Sequence, residues 1–392
     1  MYAEKTSSAP GGLTRRQVSS EPTVPESPGR QLRRVRYRYT TPGGAHWYSS
    51  RIQKTIVARA SWLGALSEDS LVREVSLWTS GLLTRLPRCI ETGVLEARML
   101  REESESGAAA GRIEMRDLGS SRLRDRHGRP LREPPATPPG NLPPVVLTVL
   151  RNLAQLHVAY WEAPQLDDSA TGLMTARDAL LVLAPSALAA RLAEGDPSPY
   201  LPVALAGWKA FFAMAAPGDA EALTRIYHAP ESVIPAIAAL PGTLVHGDVW
   251  GPNLGLLPPG RQAPRTGRRL LLLDWELATE APPTYDVLWL CGTWHALHPP
   301  KLLAAYRAQL ERRLAAHGIP LTSGTWRGMV DAGYLRTALT CGEALARSAV
   351  QAPAGALRRR MEARVRWWAA RAATAAHRLI RETTRLQLED MV

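Results

Sequence analysis

The segment that decides the fold runs from Leu244 to Leu257 and reads LVHGDVWGPNLGLL. Its two ends are short apolar runs bounded by glycine and proline, a pattern typical of buried strands. Asp248 follows the first run directly, and Asn253 comes five residues later. Because buried strands normally exclude charge, we interpret the loop between the two runs as the opening of a cleft in which these side chains perform chemistry.

A second segment, LLLLDWE at residues 270–276, repeats the arrangement of an apolar run followed by carboxylates. Asp274 lies twenty-one positions after Asn253, and Glu276 follows it. Two such segments at strand ends would place their polar groups side by side. Phosphoryl transfer requires one carboxylate to orient the acceptor hydroxyl, and a carboxamide with a second carboxylate to hold Mg²⁺. The pair of segments therefore predicts phosphoryl transfer.

Other catalytic patterns are absent from the sequence. It contains no Gly-x-x-x-x-Gly-Lys-Ser/Thr, Gly-x-Gly-x-x-Gly, His-Glu-x-x-His or Gly-x-Ser-x-Gly pattern. These absences argue against a P-loop NTPase, a dinucleotide-binding enzyme, a zinc protease and an α/β-hydrolase.

The segments HGDVWGPN and LLLLDWE, with PPTYDVLWL after them and LAQLHVAYWEAP before them, resemble the aminoglycoside phosphotransferase and choline kinase family. The resemblance implies an α+β, protein-kinase-like fold with a small, mostly-β N-lobe and a large, mostly-α C-lobe, and it implies ATP and Mg²⁺ as cofactors. By the resemblance, Asp248 is the catalytic base or hydroxyl-orienting group, and His246 is the second catalytic candidate, which either holds the loop or acts as a base. Asn253 and Asp274 are the Mg²⁺ ligands, and Asp286 is a structural carboxylate.

The N-lobe of this family supplies a lysine for the nucleotide phosphates. Lys54 lies mid-strand in SSRIQKTIV, in a chain where only four of 48 basic residues are lysine. Lys54 is therefore our candidate, and Glu74 on the following helix is its candidate partner. The alternative is a surface lysine with a solvated glutamate.

Two parts of the nucleotide site are less well defined. The covering loop falls on PTVPESPGR, whose only glycine is Gly29, so few backbone amides are free for phosphate contact. The adenine-binding hinge falls on Met115 to Leu118, through backbone groups that the sequence does not identify.

The order of patterns along the chain gives four predicted parts. Residues 1–16 are a disordered tail, 17–119 a nucleotide-binding N-lobe, 120–142 a proline-rich linker, and 143–392 a helical C-lobe with the catalytic and metal loops. The three cysteines are far apart and predict neither a zinc site nor a disulfide framework.

The net charge of +12 raises the possibility of a nucleic-acid partner. The arginines are scattered, however, so nucleic acid is not the expected partner, although a basic nucleic-acid-binding protein stays an alternative.

No apolar run approaches the roughly 18 residues of a membrane span, and no secretory signal begins the sequence. We expect a cytoplasmic protein; its oligomeric state is open.

The leading functional hypothesis is an ATP- and Mg²⁺-dependent phosphotransferase acting on a hydroxyl of a small molecule. An aminoglycoside-, sugar- or choline-like alcohol is the expected acceptor. Asp331 and Glu343 are candidates for an acidic patch that would bind a polycation, or are polar residues satisfied within the fold. Trp250 either stacks on a ligand ring or packs under the loop. A nucleotide-binding protein that no longer catalyses is the second hypothesis.

Overall fold

The computed structural model describes residues 6–9, 13–23, 30–60, 62–67, 69–100, 108–118, 141–258 and 267–389. Its N-terminal part is built mainly of strands. The elements are β1 (Thr6–Ala9), β2 (Leu13–Pro22), β3 (Arg30–Thr40), β4 (His46–Val57), α1 (Trp62–Leu66), α2 (Arg73–Thr79), β5 (Ile90–Glu91), β6 (Val94–Leu100) and β7 (Ala110–Arg116). Within the described residues, six of these strands form one antiparallel sheet in the order β1-β2-β3-β4-β7-β6.

The centre of this sheet follows from the alternation of side chains in β3 and β4. Val35, Tyr37 and Tyr39 are buried on one face of β3, while the arginines between them are more exposed. On β4, Lys54 and Ile56 are buried and the residues between them are partly exposed. The period of two therefore predicts these strands correctly.

Helix α2 begins at Arg73. The backbone N–H of Arg73 donates to both carboxylate oxygens of Asp69, at 2.7 and 2.9 Å. Val72, just before the helix, has a left-handed φ of 52°. Leu71 is exposed, whereas Val72 and Val75 are buried.

The C-terminal part is built mainly of helices. They are α3 (Pro144–Ala159), α4 (Ala176–Leu181), α5 (Pro185–Ala193), α6 (Tyr200–Met214), α7 (Pro217–His228), α8 (Ile234–Ala238), α9 (Thr284–Thr293), α10 (Pro299–Ala315), α11 (Ser323–Gln351) and α12 (Ala356–Glu389). Four short strands lie among them: β8 (Thr243–Val245), β9 (Leu254–Leu257), β10 (Arg269–Leu272) and β11 (Thr279–Ala281). The α+β architecture with a β-rich N-lobe and a helical C-lobe is confirmed.

The short strands bring the two predicted segments together. β8 pairs with β11, and β10 pairs with β9, both antiparallel. β10 also pairs in parallel with β5 of the N-terminal half, through Leu270 opposite Ile90. The strand ends that carry polar residues therefore lie close to the boundary between the two lobes.

The structure describes the four predicted parts of the chain to different extents. β1 and the start of β2 lie within residues 1–16, where we predicted disorder; antiparallel pairing of β1 with β2, and of β2 with β3, orders this backbone. Most of the predicted linker and the covering loop, including Gly29, lie outside the described residues. All three cysteines are buried and unbonded. No helix within the described ranges is long and apolar enough to cross a membrane.

Candidate functional site

The buried carboxylate of Asp286 holds the loop that carries Asp248. Asp286, in the first turn of α9, accepts hydrogen bonds from the backbone N–H of His246 at 3.0 Å and of Gly247 at 2.8 Å. Gly247 has a φ of 82°, and a Cβ on it would lie 2.0 Å from the carbonyl oxygen of Leu277. Only glycine fits this close approach of the two segments.

The ring of His246 joins the two segments rather than facing a ligand. Its Nε2 lies 3.0 Å from the carbonyl oxygen of Leu273, and its Nδ1 accepts from the backbone N–H of Asp248 at 3.2 Å. These partners require the neutral ring with its hydrogen on Nε2. Burial lowers the pKa of His246, although nearby carboxylates oppose the shift. The geometry favours a bracing role over a role as base.

Asp248 and Asn253 are direct neighbours. The Asn253 side-chain amide donates to Asp248 Oδ2 at 2.8 Å and to its carbonyl oxygen at 3.2 Å. Desolvation, with the charge of Asp274, raises the pKa of Asp248 to about 7, although Arg336 and the Asn253 hydrogen bond oppose the shift. A carboxylate whose pKa lies near neutrality is suited to accept a proton from a hydroxyl.

Asn253 and Asp274 meet because their strands pair. Leu254 lies opposite Leu272 in the β9–β10 ladder, and the backbone N–H of Leu273 donates to the carbonyl oxygen of Asn253 at 3.0 Å. Asp274 then leaves the strand with a left-handed φ of 69°, a conformation that aspartate tolerates better than most residues. This turn places its carboxylate beside two cations.

The carboxylate of Asp274 contacts Lys54 through one oxygen and Arg30 through the other. Lys54 Nζ lies 2.8 Å from Oδ1, and Arg30 Nη2 lies 2.7 Å from Oδ2. Burial tends to raise the pKa of Asp274, but the two cations outweigh burial and hold that pKa well below its usual range.

Lys54 also forms a buried ion pair with Glu74 of α2, and each side chain is only 2% exposed. Burial and Arg30 tend to lower the pKa of Lys54, but Asp274, Glu74 and Glu276 together raise it. The alternative of a surface lysine and a solvated glutamate is therefore wrong.

Glu276 is held by arginines. Arg30 Nη1 lies 3.2 Å from its Oε2, and the buried Arg73 donates to its backbone carbonyl. Burial raises the pKa of Glu276, while Lys54 opposes the shift. These contacts indicate that Glu276 stabilises the turn at Asp274.

These side chains line a cavity of about 300 Å³ between the N-terminal sheet and the catalytic loop. The lining residues are Thr23, Arg30, Leu32, Arg34, Ile52, Lys54, Glu74, Met115, Arg116, Asp117, Leu118, Asn253, Leu273 and Asp274. The predicted nucleotide and metal residues are thus brought together. Asp248 adjoins the cavity through its contact with Asn253, whereas His246 lies behind the loop.

The predicted hinge borders the same cavity. Arg116 is the last residue of β7 in the ladder with β4, where it lies opposite Arg51. The backbone of Asp117 and Leu118 therefore extends beyond the sheet pairing.

Sequence reasoning missed two arginines. Arg30 is the last residue of the predicted covering loop and the first residue of β3, a position that could have drawn attention to it. Arg336 lies on α11 in the mostly apolar stretch around YLRTAL, and a lone arginine there is a usable signal. It is fully buried, donates to the carbonyl oxygen of Gly247 at 2.7 Å, and stacks its guanidinium 4.2 Å from the Trp289 ring centroid. Burial lowers the pKa of Arg336.

The donor set fits Mg²⁺ better than a transition metal. Asp274 offers a carboxylate, and Asn253 offers its amide oxygen while its NH₂ binds Asp248. Across the described residues, no group of three or more His, Cys, Asp or Glu could hold a metal. Two hard oxygen ligands from the protein, completed by water and substrate phosphates, are typical of Mg²⁺ sites.

The remaining candidates concern the acceptor. Trp250 is 38% exposed, so it does not pack under the loop. Asp331 is buried against Arg378 at 3.2 Å. Glu343 accepts from Tyr200 at 2.7 Å and lies 3.2 Å from Arg347. Both carboxylates therefore have partners within the fold.

The fold is similar to those of several solved phosphotransferases and kinases. A putative aminoglycoside phosphotransferase from Ralstonia eutropha is 17% identical, with 92% of each chain covered and a TM-score of 0.39. A choline kinase from Streptococcus pneumoniae is 13% identical, with 90% of this chain and 94% of that chain covered and a TM-score of 0.41. The GDP and kanamycin complex of APH(2")-IIia is 14% identical, with 94% and 93% covered and a TM-score of 0.38. No curated protein matches the chain.

The family model described as "Phosphotransferase enzyme family" matches residues 118–329, which is more than half of the chain. The match includes both the Asp248 loop and the Asp274 segment. The resemblance inferred from these two segments is confirmed, and the chain belongs to the phosphotransferase enzyme family.

Proposed function

We propose that this small-molecule phosphotransferase moves the γ-phosphate of ATP, with Mg²⁺, to a hydroxyl of its acceptor. The observation that carries the proposal is the convergence of Lys54, Asn253 and Asp274 on one cavity, with Asp248 hydrogen-bonded at its edge. Each group matches one requirement of phosphoryl transfer, namely charge neutralisation, metal binding and hydroxyl orientation. A cytoplasmic location is part of the same proposal.

The N-lobe residues bind and orient the nucleotide. Lys54 presents a compact ammonium that Glu74 and Asp274 hold in one place, so little ordering remains when phosphate binds. The backbone beyond Arg116 receives the base. Asn253 and Asp274 would hold Mg²⁺, which supplies charge neutralisation to the phosphate oxygens when bound.

Asp248 acts on the acceptor. Its carboxylate is fixed by the Asn253 amide, and its loop is fixed by Asp286 and Arg336. A hydroxyl that donates to Asp248 is aligned for attack and passes its proton to the carboxylate. With a pKa of about 7, Asp248 is ionised in a large fraction of molecules at neutral pH.

The acceptor is best described as a neutral or singly charged alcohol. Asp331 and Glu343, the carboxylates considered for a polycation, already bind arginines or tyrosine. The exposed Trp250 ring lies two residues from Asp248 and offers an apolar face to a sugar-like or choline-like group. An aminoglycoside would need carboxylates other than these two.

A thermal-shift screen tests the proposal. The protein is melted with a non-hydrolysable ATP analogue and Mg²⁺, then with a panel of acceptor alcohols, and hits are assayed for transfer with ATP. We expect the analogue to raise the midpoint in wild type and much less in Asp274→Asn, because only the folded state binds. Binding without transfer to any hit would favour the non-catalytic alternative. Absence of any shift by the analogue would refute the proposal.

A further inference from the structure

Arg30 links the two carboxylates of the DWE segment. Its guanidinium contacts Asp274 Oδ2 at 2.7 Å and Glu276 Oε2 at 3.2 Å, and its side chain is 32% exposed. Both carboxylates raise its pKa, Asp274 more strongly, so it is fully charged. Arg30 and Asp274 both line the cavity.

The second oxygen of Asp274 is also occupied, but by a cation that cannot move easily. Lys54 is 2% exposed and is paired with the equally buried Glu74. Displacing Lys54 would leave a buried carboxylate without its partner, which is costly. Arg30 is more exposed, so it is the cation that a metal ion at Asp274 would displace.

We propose that Arg30 is an internal counter-ion that keeps divalent metal off Asp274 until nucleotide binds, and that it then turns to the phosphates. The inference rests on the proposed function. Among the described residues, Asn253 and Asp274 are the proposed metal ligands, and Arg30 already neutralises Asp274. A nucleotide phosphate changes the balance in two ways: it adds oxygen ligands for the metal, and it gives the guanidinium a bidentate partner.

Arg30 is the first residue of β3 and lines the cavity, so its side chain can supply positive charge to the nucleotide phosphates. Metal and nucleotide then bind with positive coupling, because each one removes the obstacle to the other.

A matched control, Arg34, lies four residues after Arg30 on β3. Arg34 lines the same cavity and carries the same charge, but it pairs with Asp117 at 2.8 Å. Replacing Arg34 removes one positive charge from the cavity without uncovering Asp274. The pair of substitutions therefore separates a specific counter-ion from general electrostatics.

The experiment measures Mn²⁺ binding by electron paramagnetic resonance of the free ion, with and without a non-hydrolysable ATP analogue. We expect wild type to bind Mn²⁺ alone at least tenfold more weakly than Arg30→Gln, and Arg34→Gln to stay within about threefold of wild type. In the double variant Arg30→Gln/Asp274→Asn, the increase in Mn²⁺ affinity caused by Arg30→Gln should disappear. Arg30→Gln should also bind the analogue at least fivefold more weakly in the absence of metal.

The outcomes separate the two proposals. If wild type binds no Mn²⁺ even with the analogue, the proposed function fails and this inference fails with it. If wild type shows nucleotide-dependent Mn²⁺ binding but Arg30→Gln equals wild type with Mn²⁺ alone, only the Arg30 inference is overturned. Equal gains in Arg30→Gln and Arg34→Gln also overturn it. Arg30→Lys keeps the positive charge but lacks the two-pronged guanidinium, so its affinity for Mn²⁺ alone should lie between those of wild type and Arg30→Gln. Because this change is conservative, it provides a second test if Arg30→Gln does not fold.

Discussion

Gly247→Ala is the most informative single substitution, because it acts on the contact that holds the catalytic loop to the metal segment. The added Cβ would lie 2.0 Å from the carbonyl oxygen of Leu277 and 2.8 Å from its carbonyl carbon. It would also sit at a φ of +82°, which costs a non-glycine residue about 1–2 kcal/mol. The loop must therefore move away from Leu277 by about 1 Å, a displacement that can cost on the order of a hundredfold in rate.

Gly318→Ala is the matched control, since Gly318 has a φ of +73° with no atom within 4 Å of the added Cβ. It should lose only the conformational cost of the positive φ, about 1–2 kcal/mol. Gly247→Ala adds overpacking of a buried backbone, about 1–3 kcal/mol more. We expect a destabilisation of roughly 2–5 kcal/mol for Gly247→Ala, measured by urea unfolding with an unchanged m-value.

The activity of the two variants completes the prediction. Gly247→Ala should lower kcat/KM by about a hundredfold or more, whereas Gly318→Ala should equal wild type. If both variants lose the same stability and keep the same activity, the loop does not depend on its contact with Leu277 and the described geometry of the site is wrong.

Three further predictions concern charge. Because Asp248 must be ionised to accept a proton and its pKa is raised to about 7, kcat/KM should rise about tenfold per pH unit below pH 7 and level off above it; a flat profile from pH 5 to 8 would contradict this. In Arg336→Met the rising limb should move to higher pH, because Arg336 lowers the pKa of Asp248; an unmoved limb would remove Arg336 from the electrostatics of the loop. Lys54→Met should lower the free energy of unfolding by about 3 kcal/mol, because it leaves Glu74 buried without its partner. Adding Glu74→Gln to Lys54→Met should restore part of this loss, with a coupling energy above about 1 kcal/mol in urea unfolding. Strictly additive effects of the two substitutions would contradict the buried pair.

Local patterns account for much of the fold and for the pairing of the two loops. The period of two in β3 and β4 predicts their buried faces, and the spacing from Asn253 to Asp274 predicts that both face one cleft. Such patterns predict which face of an element is buried. They also predict where along the chain a polar group follows a strand. These properties depend on neighbours along the chain, so sequence alone reveals them.

The cation network was not predictable in the same way. Arg30 contacts Asp274 across 244 positions of the chain, and Arg336 reaches Gly247 across 89. In a chain with so many arginines, composition does not distinguish these two from solvated ones. The apolar sequence around Arg336 hints that this residue is buried, but the tertiary fold is needed to show which groups each guanidinium contacts.

The central claim is that Asp248 directs phosphoryl transfer to a hydroxyl. The most direct test is phosphorus NMR of the protein with ATP, Mg²⁺ and the acceptor alcohols that stabilise it, comparing wild type with Asp248→Asn. The account predicts a phosphomonoester signal that grows with ADP in wild type, and a rate at least a hundredfold lower in Asp248→Asn while analogue binding persists. Equal rates of phosphoester formation by both proteins would contradict it.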